Sequence, residues 1–220
     1  MNISRIMIYV EGPSDKLVLE SILRPVVDEA EENYTLITFH ERGGKDDLVT
    51  KTMIKSANIL MNDLNAFIFI VPDLYPLNKG IVHNNYQELK TELINNFERK
   101  IIQSRFRNEI ENIRKRFFVH CFKYELETLI LASPNNLKRY LRTDNLEITW
   151  KHPPEDQNDI NPPSKIIERI FRVRNKKYKK TKDGPAILRN VDYRELASIC
   201  NQNFKPFVED IIGIIRKRQA

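Results

Sequence analysis

At 220 residues, with 41% hydrophobic and 30% charged side chains, the chain is long enough for one domain with an extension and can bury a sizeable core. A mean hydropathy of −0.49 and apolar runs far short of the ~20 residues a bilayer requires point away from a helical membrane protein. A net charge of +6 points weakly to an anionic partner, and two cysteines, Cys121 and Cys200, make no disulfide framework. The first apolar run closes in Glu11 rather than continuing as a secretory signal, so a reducing cytoplasm is the expected home.

Ile3 to Val10 is a short β-branched run that reads as a buried strand. It ends at Glu11-Gly12-Pro13. Ser14-Asp15 then opens a helix carrying Leu17, Val18, Leu19, Ile22 and Leu23, with a proline near its first position. Tyr34 to His40 is a second strand. Gly43-Gly44 turns into an acid-capped amphipathic helix bearing Leu48, Val49, Met53, Ile54, Ala57 and Leu60. Ala66 to Val71 is apolar throughout, as expected inside a parallel sheet. A long helical region follows over 85–116, then a fourth strand over Phe117 to Phe122, and a helix from Tyr124 through Leu131. Strands alternating with helices predict a parallel α/β sheet with helices on its faces.

Beyond Pro134 the texture changes. A short helix over Asn135 to Leu141 leads to a segment with Trp150 and a Pro- and Asn-rich loop over His152 to Pro163. A helix opens at Ile166, Gly184-Pro185 turns the chain, and two closing helices follow over Asp192 to Cys200 and Phe207 to Ile215. The expected division is an α/β core over 1–133 and a basic helical extension over 134–220, packed on that core. Nine Lys and Arg fall between Lys165 and Gly184 against two acids. Arg105, Arg107, Arg114, Lys115 and Arg116 form a second cluster, and Arg216-Lys217-Arg218 a third. Such clusters suit phosphate backbones or a solvated basic surface.

Glu11 follows the first strand, Asp73 the third and Glu125 the fourth. In a parallel sheet all carboxyl ends share one edge, so these acids can meet there. Carboxylate oxygens suit Mg²⁺ or Mn²⁺, which polarise phosphodiesters and lower the pKa of bound water. Each acid taken alone also fits an ordinary cap or turn. Gly43, Gly44 and Lys45 follow the second strand at the same edge, where N–H groups at a helix start can hold a phosphate or simply form a βα turn. Lys165, Lys179, Lys180 and Lys182 are candidate backbone contacts for DNA or RNA, with Tyr178 among them to stack a base or to cover the core edge. Trp150, His83, His120 and His152 read as packing or surface residues.

Tyr9-Val10-Glu11-Gly12-Pro13-Ser14-Asp15 resembles the first motif of Toprim domains, in which a strand ends in Glu-Gly followed by Thr or Ser and an acid. Val71-Pro72-Asp73-Leu74-Tyr75 sits where those domains carry Asp-x-Asp. Over almost its full length the chain resembles a narrower family of Toprim-like bacterial proteins of unknown function. These are often encoded beside an ABC/AAA-type ATPase and associated with defence against phage. Tyr124-Glu125-Leu126-Glu127, Asn161-Pro162-Pro163-Ser164-Lys165 and Tyr178-Lys179-Lys180-Thr181-Lys182-Asp183-Gly184-Pro185 carry that likeness.

The resemblance implies a Toprim-like fold, a Mg²⁺- or Mn²⁺-dependent nuclease, proton transfer by Glu11 and metal binding by Asp73. Tyr75 departs from it, because a neutral phenol is a poor ligand where a second aspartate is expected. Either Glu125 or Glu127 supplies the missing oxygen, or one metal is held weakly, or there is no catalysis. Of the two, Glu125 is preferred because it is nearer the strand end. The alternative function is a non-catalytic subunit that docks on a partner ATPase, on nucleic acid, or on both.

Overall fold

The computed structural model describes residues 3–157 and 160–217. Arg218 of the third basic cluster, and Asn158 and Asp159 of the Pro-rich loop, lie outside the described residues. Two compact units are present. The first gathers residues 3–12, 25–121 and 211–217, and the second gathers 13–24 and 122–210.

The first unit is built on four parallel strands, β1 (Ser4–Val10), β2 (Thr35–Glu41), β3 (Ala66–Val71) and β4 (Phe117–Val119), in the order β2-β1-β3-β4. The mainly parallel α/β class expected from the alternation is what forms. β1 is central because both its edges pair, with Val10 opposite Glu41 on one side and Val71 on the other. Ile6, Ile8 and Val10 are fully buried, and Ile68, Phe69 and Ile70 line the neighbouring strand. Helices α4 (Lys51–Asn62) and α5 (Tyr86–Ile102) pack on each other, α4 against β3 and α5 against β4. Their buried stripes, Met53, Ala57 and Leu60 on α4 and Leu89, Leu93, Phe97 and Ile101 on α5, follow the helical repeat. Phe97 stacks on Phe117 at 3.9 Å between ring centroids.

Several local expectations change. The first helical stretch divides into α1 (Pro13–Ile22) and α2 (Arg24–Glu32), with α1 beginning at Pro13, where a missing N–H costs nothing. The helix after the Gly-Gly turn divides into α3 (Lys45–Val49) and α4, and Gly44 is its N-cap, with no side-chain acceptor. Gly44 has φ 100°, a region that favours glycine, and this is why the turn carries one there. The long helix over 85–116 is α5 alone, capped by Asn85 accepting from Glu88 N, followed by a 3-10 turn over Arg107–Glu109 and the short α6 (Ile110–Arg114). The fourth strand keeps only three residues.

The second unit is helical: α1, α7 (Thr128–Leu131), α8 (Pro134–Leu141), α9 (Pro163–Val173), α10 (Lys180–Leu188), α11 (Tyr193–Ile199) and the start of α12 (Phe204–Arg216). Leu129, Ile130, Leu137, Ile167, Ile170, Phe171 and Leu188 form its core. Gly184-Pro185 does not turn the chain; both lie inside α10. Gly184 is there for closeness, since a Cβ would stand 3.2 Å from Val18 Cγ2 on α1 and 3.3 Å from the Tyr178 hydroxyl. Pro185 lies in the second turn of α10, where it has no N–H to donate to the Thr181 carbonyl and its ring crowds that oxygen.

Candidate active site

The carboxyl edge of the first unit is knitted together by backbone and side-chain bonds from three loops. Glu11 Oε1 accepts a 3.0 Å hydrogen bond from Asp73 N, so the acids after β1 and β3 are neighbours. Gly44 N donates to the Glu11 carbonyl at 3.1 Å, and Arg42 N donates to the Val10 carbonyl at 3.0 Å. The parallel register requires this, because strands ending together deliver their next residues to one edge. Beneath the edge lies Lys45, 1% exposed. Its ammonium donates to the carbonyls of Leu74 at 2.6 Å and Pro76 at 2.8 Å and lies 3.4 Å from His83 Nε2. His83 is fully buried, and its Nδ1, 2.7 Å from the Ile81 carbonyl oxygen, carries the proton in that bond. Asn78 Oδ1 accepts from His83 N at 2.8 Å.

The loop that carries Asp73 and Tyr75 is therefore fastened from inside by one lysine. Burial pulls the Lys45 ammonium below its ordinary range, while Glu11, Cys121 and Asp73 push it back up. The buried Cys121 thiol is raised, first by burial and then by Asp73, with Lys45 opposing. Glu11, Asp73, Lys45 and Cys121 thus share one electrostatic neighbourhood. Gly80, at φ 75°, closes the loop against α3, where a Cβ would come within 2.6 Å of Val49 Cγ2.

Glu125 and Glu127 belong to the second unit and precede α7 in a turn rather than lying on a helix. Glu125 Oε2 accepts from Ser164 N at 2.9 Å. Pro162 and Pro163 have no N–H, so Ser164 offers the first donor of α9, and an anion there also meets the positive end of the helix. Glu127 is 5% exposed and pairs with Lys180 Nζ at 3.0 Å, while the Tyr178 hydroxyl donates to it at 3.4 Å. Burial raises the Glu127 carboxyl; Lys180 lowers it and Glu125 raises it further. The Tyr178 phenol is pushed up by burial and by Glu127, and its ring meets Phe171 edge-on at 5.2 Å. Asp183 Oδ1 accepts from the Tyr140 hydroxyl at 2.6 Å, and Asp183 Oδ2 accepts from the N-cap N–H of α10, Lys179 N, at 2.6 Å. The three motifs after residue 122 are therefore one network that starts α9 and α10.

Of the sequence-selected residues, Glu11, Asp73, Gly43, Gly44 and Lys45 gather in the first unit. Glu125, Glu127, Lys165, Tyr178, Lys179, Lys180 and Lys182 lie in the second. Lys165 pairs with Glu168 at 2.9 Å; Lys165, Lys179 and Lys182 are exposed, whereas Lys180 is half-exposed and turned to Glu127. Among the described residues, no group of three or more His, Cys, Asp or Glu side chains gathers as a ready-made metal cage. Sequence reasoning missed the Lys45–His83 clamp and the Tyr140–Asp183 bond. Their partners stand 38 and 43 positions apart, and no local spacing signals such pairs.

A parallel α/β unit with a carboxylate at the end of its central strand, and a second acid held beside it, defines the class. The chain belongs to the domain family of unknown function DUF4276, whose pattern matches residues 10–212. Its structure is similar to the C-terminal region of the OLD protein of Xanthomonas campestris pv. campestris, phased with iodine. That likeness has 15% sequence identity and a TM-score of 0.51, and it covers 100% of this chain and 99% of that one. A second structure of that region, phased with platinum, aligns at 14% identity and a TM-score of 0.44 over 93% of this chain and 94% of that one. No curated protein matches the chain.

Proposed function

We propose that the chain is a Toprim-like nuclease that cleaves DNA or RNA phosphodiesters with Mg²⁺ or Mn²⁺. In this reading it is the cytoplasmic effector of an ABC/AAA-type ATPase in defence against phage. The observation that carries the reading is the 3.0 Å bond from Asp73 N to Glu11 Oε1, which holds the Glu11 carboxylate against the backbone of the second acid at the edge of a parallel sheet. Two hard oxygen donors fit Mg²⁺, which commonly takes one or two carboxylates and completes its shell with water and substrate phosphate. A bound cation would polarise the phosphodiester and acidify water. Asp73 would hold the cation and Glu11 would move the proton. Lys45 holds the loop that presents Asp73, and both acids favour its charged form.

The test is cleavage of DNA and RNA panels with Mg²⁺ or Mn²⁺, with and without an ATPase partner, by the full chain and by Glu11→Gln and Asp73→Asn. Loss of at least about a hundredfold in rate, with the circular dichroism spectrum unchanged, is the expected result, in line with removal of a group used in proton transfer. Full activity in either variant overturns the assignment. Tyr75, standing where a second acid is expected, favours one other reading, a non-catalytic docking subunit. Nucleic-acid or ATPase binding without cleavage under any metal condition would establish that reading instead.

A further inference from the structure

Residues 144–150 of the second unit run without helix or strand to the chain's single tryptophan, Trp150. An open cavity of about 560 Å³ lies along this segment, walled by Ile148, Trp150 and His152 and bordered by Lys138 of α8. The Trp150 and His152 rings stand 6.0 Å apart, inclined by 39°. Trp150 is half-buried, and its Nε1–H has no acceptor among the described residues. A buried indole donor without a partner is uncommon in a folded protein. Lys138 also borders a second cavity of about 570 Å³, which holds Arg139, Arg142 and Asp144. Among the described residues, the side chains of Lys138, Arg139 and Arg142 have no hydrogen-bond or ion-pair partner, whereas Glu147 at the first cavity is paired with Arg174 at 3.2 Å.

Cations near the end of a helix also complement its macrodipole, but that does not account for an aromatic wall beside them. Lys138 borders the aromatic cavity itself, and Arg139 and Arg142 line the one that shares Lys138 with it; a flat π-surface with cations leading away from it is the chemistry of a nucleotide, a base to stack and phosphates to neutralise. A cavity of this size is within the usual range for a small-molecule site.

We infer that Trp150 and His152 form a base-stacking subsite for single-stranded nucleic acid, with Lys138, Arg139 and Arg142 holding the adjoining phosphates. The subsite rests on the nucleic-acid reading above, but it is tested by binding and not by cleavage. Because Trp150 is the single tryptophan, indole fluorescence of the full chain reports on it alone. Titration with oligo(dT) and oligo(rU) of about 12 nucleotides should quench the fluorescence saturably. Trp150→Ala should weaken anisotropy-measured binding of a labelled strand by about tenfold, and Trp150→Phe by much less. Arg142→Gln, which leaves the indole in place, should lower the slope of log affinity against log salt by about one. Oligonucleotide binding with unchanged indole emission and unchanged affinity in Trp150→Ala overturns the subsite and leaves the nucleic-acid reading standing. Quenching by thymidine or uridine monophosphate with both oligonucleotides inert overturns the single-strand assignment in favour of a free nucleotide. Absence of binding by any nucleic acid overturns both.

Discussion

Glu127 keeps a carboxylate at 5% exposure, 3.0 Å from the half-exposed ammonium of Lys180. Burial raises its folded pKa above the ordinary 4.5, so the folded state holds that proton more tightly than the unfolded chain does. The corresponding stability is fully present below the unfolded value and is lost as pH rises through the folded one. Lys180 opposes the loss. Lys180→Ala is therefore expected to cost about 1–2 kcal/mol at neutral pH, the smaller end for a buried pair because the lysine is screened by solvent. The deficit should shrink towards zero as pH falls below the unfolded carboxyl value and Glu127 is protonated in both states. Urea denaturation of the wild type and the variant at neutral and acid pH checks both statements. The Tyr140 phenol, pushed up to about 12 by burial and by Asp183, stays a neutral donor throughout that range.

At the scale of elements, the loop between β3 and α5 is fixed by one internal side chain. Lys45 at the start of α3 serves the carbonyls of Leu74 and Pro76, and Gly80 lets the loop close on α3. Lys45→Met fills much of the same volume and removes the donors, leaving two carbonyls unsatisfied. The expected cost is about 2–4 kcal/mol. Amide exchange over residues 72–85 should accelerate more than exchange in β1 or α4, because the damage is local. Metal-dependent cleavage, where present, should fall with it through the displaced Asp73. A uniform increase in exchange across the first unit would show that Lys45 supports the whole core and not this loop. The starts of α9 and α10 obey the same logic. Each is completed by a carboxylate, Glu125 on Ser164 N and Asp183 on Lys179 N, and the first of these bridges 39 positions of sequence.

For the whole molecule, charge is the property that reaches furthest. With a net +6 and exposed cations concentrated between Lys165 and Lys182, association with nucleic acid should be strongly salt-dependent. If about three phosphates are neutralised, affinity for single strands should fall about 20-fold between roughly 50 and 200 mM salt. Filter binding across that range measures the slope. An affinity indifferent to salt would remove the basic face from the function. Among the described residues, no helix is long and apolar enough to cross a membrane.

Much of the fold was legible because parallel strands are both apolar and short. Ala66–Val71 is read directly from its composition, and β1 and β2 fall within a residue of their expected limits. The edge position of Glu11 and Asp73 follows from the same fact, since a parallel sheet sends its strand ends one way. Composition did not decide where helices break. The 85–116 region is continuous in periodicity yet stops at Ile102, and Gly184-Pro185 has turn chemistry yet lies within α10 because a close neighbour needs the missing Cβ. Partnership was also invisible. Whether a carboxylate faces a cation, a backbone N–H or open solvent depends on residues 39 to 62 positions away, as with Glu125, Glu127 and Glu11. The sequence by itself determined the strands, the sheet class and the acid at the end of the central strand, which rest on local polarity and period. Only the tertiary structure decided that Asp73 N grips Glu11, that Lys45 lies beneath them, and that the later motifs start two helices, because those outcomes depend on which distant groups burial brings together.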